Sequence, residues 1–408
     1  MANDTQQSDS KQSATQQSVL KQPVPQRSVT SLVYTHDKPV ELFELFNDLI
    51  YVYAISQMTD ILPHVRGPVS GWYVVVYFLA CLVVLQSWLF LTNYVNRFGR
   101  STWPERIVES ISMVAVIYLS TTISHDFAAY TMPFAVSMCI MLASISALYL
   151  MHSTRREPGA LFARHFGILL AIFAALYLCI ACINSFIPHV VTAVVLSALI
   201  IAGISVPAFI RTGFDPAFVD TGHLVERFEE FIILTFGETV VQMTGLFDVQ
   251  HFSLAPILVF VNVLLLFATY VSFIHTMIDH HLNGSRAMPF VYLHFVMIIA
   301  VNGLTISMSV LRHSLAGGLG LIAVSEVAFY AALVGNNVYA RKPEKLTPVD
   351  FLLITTAIAV GLVVCAMFSS SLIGILGGIL LTRGGVFAVF LHRHHSATAV
   401  HHLATVTA

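Results

Sequence analysis

Charge is scarce in this sequence. Its 408 residues include 20 Lys and Arg and 22 Asp and Glu, a charged fraction of 10%, where ordinary soluble domains carry about 25%. With 57% hydrophobic residues, a water-soluble fold would expose large apolar patches. The signs nearly cancel, to a formal −2, so no strongly acidic or basic partner is implied. The chain has no basic stripe and no stacking platform, which excludes nucleic-acid binding. It has no Gly-rich phosphate loop either. Cysteine is also scarce. The five residues, Cys81, Cys139, Cys179, Cys182 and Cys365, all lie in apolar runs. Cys179 and Cys182 form a C-x-x-C, but a thiolate site needs polar surroundings, so this pair reads as helix packing. No ligand spacing points to a metal, and nothing points to a cofactor. No apolar h-region follows the early lysines, so no signal peptide is expected and the N-terminus should stay in the cytosol.

What the sequence has is apolar length. The mean hydropathy is +0.79, and a bilayer crossing needs about 20 apolar residues. Twelve such segments can be read, at 39–63, 70–96, 104–125, 131–152, 163–186, 189–211, 224–246, 254–281, 287–311, 316–340, 348–368 and 371–391. The predicted fold is all-α, a polytopic transmembrane helix bundle of about twelve spans. Residues 1–37 are rich in Ser, Gln, Thr and Pro and read as a disordered cytosolic tail. With the N-terminus inside, every Lys and Arg except Arg66, Arg312 and Arg383 falls at a cytosolic end or loop, as the positive-inside rule requires. Both termini are then cytosolic, in the plasma (inner) membrane. The "HRHHSATAVHH" stretch within 392–408 reads as a solvated His-rich tail rather than a metal site. Thr102-Trp-Pro-Glu105 and Thr347-Pro-Val-Asp350 read as capping boxes that fix helix entries.

The first segment returns later in the chain. Residues 40–59, "VELFELFNDLIYVYAISQMT", align without gaps on 225–244, "VERFEEFIILTFGETVVQMT", and eight of twenty positions are identical at an offset of 185. Average residue usage would give roughly one or two. The offset spans six segments. The match therefore predicts two parallel six-helix repeats, 38–212 and 213–391, related by an axis along the membrane normal.

Both copies carry acids into an apolar segment. On a helix, Glu41, Glu44, Asp48, Tyr51, Ile55 and Thr59 share one stripe. Glu41 and Glu44 sit near the interface. Asp48 lies over two turns in, where a carboxylate costs about 2.5–3.5 kcal/mol, so it must face a partner, water or the bundle interior. Glu226, Glu229 and Glu230 crowd the start of the seventh segment, and Glu238 sits near the midplane. Arg227 lies eleven residues from Glu238, ~16 Å along a helix, too far to pair, so Glu238 needs another partner or a proton. Gly237 beside it permits close backbone approach. His275, Asp279, His294, Glu326 and Arg383 are further intramembrane polar groups, with Asn302 and Glu109 as weaker cases. Arg383 lies too deep to snorkel easily, which predicts a buried ion pair with Glu326 or Glu238. "GGLGL" (317–321) and "GILGG" (374–378) read as tight helix packing or helix starts.

Several blocks resemble the low-temperature-requirement A family of bacterial membrane proteins. "ELFNDLIYVYAISQM" (44–58) is similar to its first signature and "ERFEEFIILTFGETVV" (226–241) to its second. "WLFLTNYVNRF" (88–98), "RIVESISMVAVIYLS" (106–120) and "YLHFVMIIAVNGL" (292–304) resemble further blocks. The resemblance implies roles for Glu44, Asp48, Gln57, Arg97, Arg106, Glu226, Arg227, Gly237, Glu238 and His294, and a part in growth in the cold. It supplies no biochemical activity. The sequence departs from the pattern at Asn47, at Glu229 and Glu230, and at "FIHTMIDHH" (273–281).

Three functions compete. The first is proton-coupled secondary transport of a small solute, with Asp48 and Glu238 as proton or substrate sites and Arg227 or Arg383 as gating partners. Twelve spans, a repeat and midplane carboxylates suit alternating access. The second is a lipid-modifying enzyme, with His275, Asp279 and His294 as acid and base. The third is a sensor or scaffold for cold-altered membranes. The partners expected on any of these readings are the lipid bilayer and a small solute or protons.

Overall fold

The computed structural model describes residues 40–59, 71–123, 127–155, 157–209, 219–244, 247, 252–279, 287–311 and 314–406. The expected N-terminal tail and the loops bearing Arg66, Arg211, Arg286 and Arg312 lie outside these residues.

Among the described residues, twelve α-helices coincide with the twelve apolar segments. They are α1 (Leu42–Thr59), α2 (Gly71–Phe98), α3 (Trp103–Thr122), α4 (Phe127–Ser153), α5 (Ala160–Ile183), α6 (His189–Phe209), α7 (Thr221–Thr244), α8 (Leu254–Tyr270), α9 (Ala287–Leu311), α10 (Leu315–Gly335), α11 (Pro348–Met367) and α12 (Leu372–Val406). No strand forms among them beyond one isolated bridge, Ile278 to Ala340. Eight helices (α2, α4, α5 and α8 to α12) contain windows long and apolar enough to cross a bilayer. Large apolar side chains face outward, including Ile107, Ile111, Val114 and Tyr118 on α3 and Leu352, Val360 and Val363 on α11. Lipid, not water, is the solvent for such a surface. The molecule is a helical membrane bundle.

The core is built around α1, α2, α7 and α9. Helix α1 packs on α2, α3, α7 and α9, and α7 packs on α1, α2, α8 and α9. Helix packing recurs at an interval of six. The pairs α1/α2, α1/α3, α2/α6, α3/α4 and α5/α6 have counterparts in α7/α8, α7/α9, α8/α12, α9/α10 and α11/α12. Helices α1 and α7 touch directly.

Several local expectations are corrected. Thr347 and Asp350 do form a reciprocal capping box, but Thr102 makes no side-chain cap bond. Glu105 is instead fully buried, accepting from the Arg100 N–H at 2.9 Å and from Arg155 at 3.2 Å. The segment expected to run through residue 281 leaves α-helical geometry at Val271, where a π-turn spans Val271–His275. The last helix does not stop at residue 391. It continues through the His-rich stretch to Val406, since no Gly or Pro interrupts it after Gly385. Cys179 and Cys182 are exposed on α5 and do not serve helix packing. Where α11 meets α12 the glycines do. A Cβ on Gly378 would lie 2.7 Å from the Gly361 carbonyl, and one on Gly361 would lie 2.7 Å from the Gly378 carbonyl. Gly317 marks a helix start, its N–H donating to the Ser314 side chain.

Candidate functional site

The acidic stripe of α1 is an interior face. Glu44 is 6% exposed and Asp48 is fully buried, as are Tyr51 and Ile55 below them. The partner is Arg227 of α7, 1% exposed. Its Nε donates to Asp48 Oδ2 at 2.9 Å, its Nη2 donates to Asp48 Oδ1, and its Nη1 donates to Glu44 Oε2 at 2.6 Å. This is a fork-on-fork guanidinium–carboxylate pair extended to a second carboxylate, the strongest form of charge-assisted hydrogen bonding. Trp88 of α2 donates its Nε1–H to Asp48 Oδ1 at 2.7 Å. Its indole, 5.9 Å from the guanidinium carbon, packs against Phe228, Phe231 and Phe295.

His223, one turn before Arg227, closes the cluster. Its Nε2 lies 3.0 Å from Glu44 Oε2, and its Nδ1 lies 3.1 Å from the Asn96 amide nitrogen. Asn96 also donates to the Asp220 carbonyl at 2.7 Å and accepts from the Asp220 N–H at 3.2 Å, which fixes the orientation of its amide. These partners assign the ring proton of His223 to Nε2, donating to Glu44. One end of the α1/α7 contact is thus joined by a continuous buried chain of Asn96, His223, Glu44, Arg227, Asp48 and Trp88.

A second ion pair joins α10 and α12. Arg383 of α12 donates from both Nε, at 2.7 Å, and Nη2 to Glu326 Oε1 of α10, and each residue is 1% exposed. Arg383 also lines a cavity of about 250 Å³ between α7, α8, α9 and α12. Its walls are Phe236, Met243, Val259, Val263, Leu266, Val301, Leu304 and Met308. Its polar lining is Thr239, Gln242, Thr305, Ser309 and Arg383. The Thr239 and Thr305 hydroxyls bond each other at 2.8 Å. Along α7, Arg227 and Thr239 are twelve residues apart, ~18 Å. The charge cluster and the cavity therefore sit toward opposite ends of that helix.

The remaining candidates neither bond the charge cluster nor line the cavity, and among the described residues only Glu238 bonds a lining residue. Glu238 is half-buried and accepts from Gln242, one turn on, at 2.9 Å. It pairs with neither Arg383 nor Arg227. A Cβ on Gly237 would meet nothing within 4 Å, so no backbone approaches there. Arg227, counted from sequence among the cytosolic-end cations, is inside the bundle. Glu226 is exposed and Gln57 half-buried. Arg106 bonds Glu41 at 3.2 Å, and Arg97 lies 5.0 Å over the Phe162 ring. His275 is exposed and bonds Glu229 at 3.2 Å. Asp279 is exposed, with its backbone N–H on the Tyr339 carbonyl. His294 is fully buried, its Nδ1 2.9 Å from the Phe290 carbonyl and its ring against Phe290 and Phe228. The three residues of the enzyme reading do not converge. Among the described residues no group of three or more His, Cys, Asp or Glu has the arrangement of a metal site.

Trp88, Asn96 and His223 were missed in the sequence. His223 and Arg227 are four apart, and Trp88 and Asn96 eight apart, so the helical period already placed each pair on one face.

The family model of the bacterial low temperature requirement A protein matches residues 39–394. No curated protein matches the chain.

Proposed function

The chain belongs to the bacterial low temperature requirement A family, and from that premise we propose that it is a proton-coupled secondary transporter of a small solute. The observation that carries this reading is the placement of its two polar features. A buried charge cluster ties α1 to α7 at one end, while a cavity lies ~18 Å away between α7, α8, α9 and α12. In an alternating-access cycle the cluster is the closed gate and the cavity is the solute chamber open toward the other face. The gate can part only if its carboxylates are neutralised or rehydrated, because separating a buried pair leaves uncompensated charge. That requirement couples opening to protons. The sequence echo between α1 and α7 and the recurrence of helix packing at an interval of six support a duplicated six-helix unit.

We place the protein in the plasma membrane with twelve spans and both termini cytosolic, the charge cluster lying at the cytosolic end. The family's description supports a part in growth in the cold, which belongs to this reading. The test is uptake of a panel of labelled organic solutes by proteoliposomes under an imposed proton gradient. Uptake by at least one solute, collapsed by a protonophore and lost in Asp48→Asn, is expected. Proton flux and solute uptake equal to those of empty vesicles across the panel would contradict it.

A further inference from the structure

We propose that Arg383 is the anion-recognition residue of the cavity, and that the solute is a monocarboxylate with a short apolar body, bound together with one proton that Glu326 accepts. The identification of the bound molecule as a transported solute rests on the transport reading. The binding site does not.

The lining selects the ligand's chemistry. Among the described residues that line the cavity, Arg383 is the one charged side chain, and its sign is positive. Eight apolar side chains form the walls, and four uncharged polar ones, Thr239, Gln242, Thr305 and Ser309, supply hydrogen bonds. A cation would meet a like charge in a low-dielectric chamber. A neutral apolar solute would leave the guanidinium unused. Volume limits the body. A cavity of about 150 Å³ holds one benzene, so 250 Å³ suits a molecule of about ten heavy atoms.

The pair behind the cavity is half-satisfied, and this sets it apart from the cluster at the other end. All three nitrogens of Arg227 are bonded, to two carboxylates. Arg383 engages Glu326 through Nε and Nη2 only, and both reach the same oxygen. Glu326 Oε2 is buried without a partner. The Nη1 group of Arg383 makes no hydrogen bond to the protein among the described residues. A buried acceptor left empty beside a guanidinium with a free donor edge is an unfinished network, and such networks are costly unless something completes them. A ligand carboxylate on Nη1 completes the donor side. A proton on Glu326 removes the charge from its unpartnered oxygen.

The proton follows from charge. At Arg383 a docked ligand carboxylate adds a second negative charge to a pair that is already neutral, and a proton taken up by Glu326 restores that neutrality. When the ligand anion docks, Glu326 changes from carboxylate to carboxylic acid, and the guanidinium's counter-charge passes from Glu326 to the ligand. One anion and one proton enter together, the site's net charge is unchanged, and no bond between heavy atoms forms or breaks. Tyr330 of α10 and Cys365 of α11 also lie within the field of the pair, and Glu238 of α7 bonds Gln242 of the cavity lining. The exchange uses none of the three.

The experiment is calorimetric titration of the full-length protein in lipid nanodiscs with hexanoate near neutral pH, in buffers of different ionisation enthalpy. Hexanol and hexylammonium are the controls. Hexanoate binding with one proton taken up per anion is expected, weakening about tenfold per unit rise in pH, while neither control binds. Glu326→Gln should retain binding and lose both the proton uptake and the pH dependence. Arg383→Met should lose binding. Should that variant fail to fold, Leu304→Trp fills the cavity while leaving Arg383 and Glu326 in the sequence, and should also abolish it. Binding of hexanol or hexylammonium as tight as that of hexanoate would overturn the proposal. So would the absence of hexanoate binding to folded protein, or proton uptake unchanged in Glu326→Gln. Hexanoate binding with proton uptake, but no flux in proteoliposomes, would remove the transport reading and leave the site. Proton-driven uptake of other solutes without hexanoate binding would do the reverse.

Discussion

Asp48 and Arg383 are each held by a single countercharged partner on a distant helix, and the consequences of removing that partner differ in kind. Arg227→Met leaves Asp48 and Glu44 buried without a cation. It should lower stability by about 3–5 kcal/mol, measured by denaturant unfolding in mixed micelles, and a loss under 1 kcal/mol would mean that water already reaches the cluster. Arg383→Met alone should cost a similar amount. The double variant Glu326→Leu/Arg383→Met should recover most of it, because an apolar replacement of a whole buried pair is often neutral or stabilising. If the double variant is no more stable than the single one, the pair also holds the packing of α10 on α12. The depth of Asp48 and of Arg383 was legible in the sequence, since each lies far from either end of an apolar run. Sequence depth also named Glu326 as one of two partners for Arg383. It did not name Arg227 for Asp48, because the two are 179 residues apart and Arg227 reads equally well as an interfacial cation. Glu238 misled for the complementary reason. Its position along α7 is deep, but its direction is toward a half-exposed flank where Gln242 satisfies it.

At the scale of the element, two similar motifs behave differently, and the difference is measurable. Thr347→Ala removes an observed cap and should cost about 0.5–2 kcal/mol. Thr102→Ala removes no cap bond and should stay within about 0.5 kcal/mol. The Thr-x-Pro-Glu pattern was read as a cap because local spacing is all a sequence shows. Glu105 is drawn instead to Arg155, fifty residues away. Gly378→Ala places a methyl against the carbonyl of Gly361 and should destabilise the α11/α12 hairpin by about 1–3 kcal/mol. Thermal unfolding followed by circular dichroism would check all three. Helix positions were legible throughout, since each crossing needs its own run of apolar residues. The end of α12 was not, because an amphiphilic His-rich stretch carries no breaker and helix can continue past the apolar limit.

At the scale of the molecule, the twelve helices among the described residues follow from the apolar runs, while their arrangement does not. Lipid-facing and buried positions are both apolar, so hydropathy cannot tell Cys179, which faces outward, from Cys365, which faces inward. What the sequence did carry was the echo between α1 and α7. These two helices meet at the centre of the bundle, and the charge cluster bridges them. The claim that this cluster is a gate and not a fixed staple is tested by paired spin-label distances in lipid. One pair sits at the cluster end, at the exposed positions Leu42 and Glu226, and the other at the cavity end, at Tyr118 and Val241. Asp48→Asn should broaden and lengthen the first distance and shorten the second, in opposite senses within one sample. Distances at both ends that stay at their wild-type values in folded Asp48→Asn protein would contradict the account and make the cluster architecture alone.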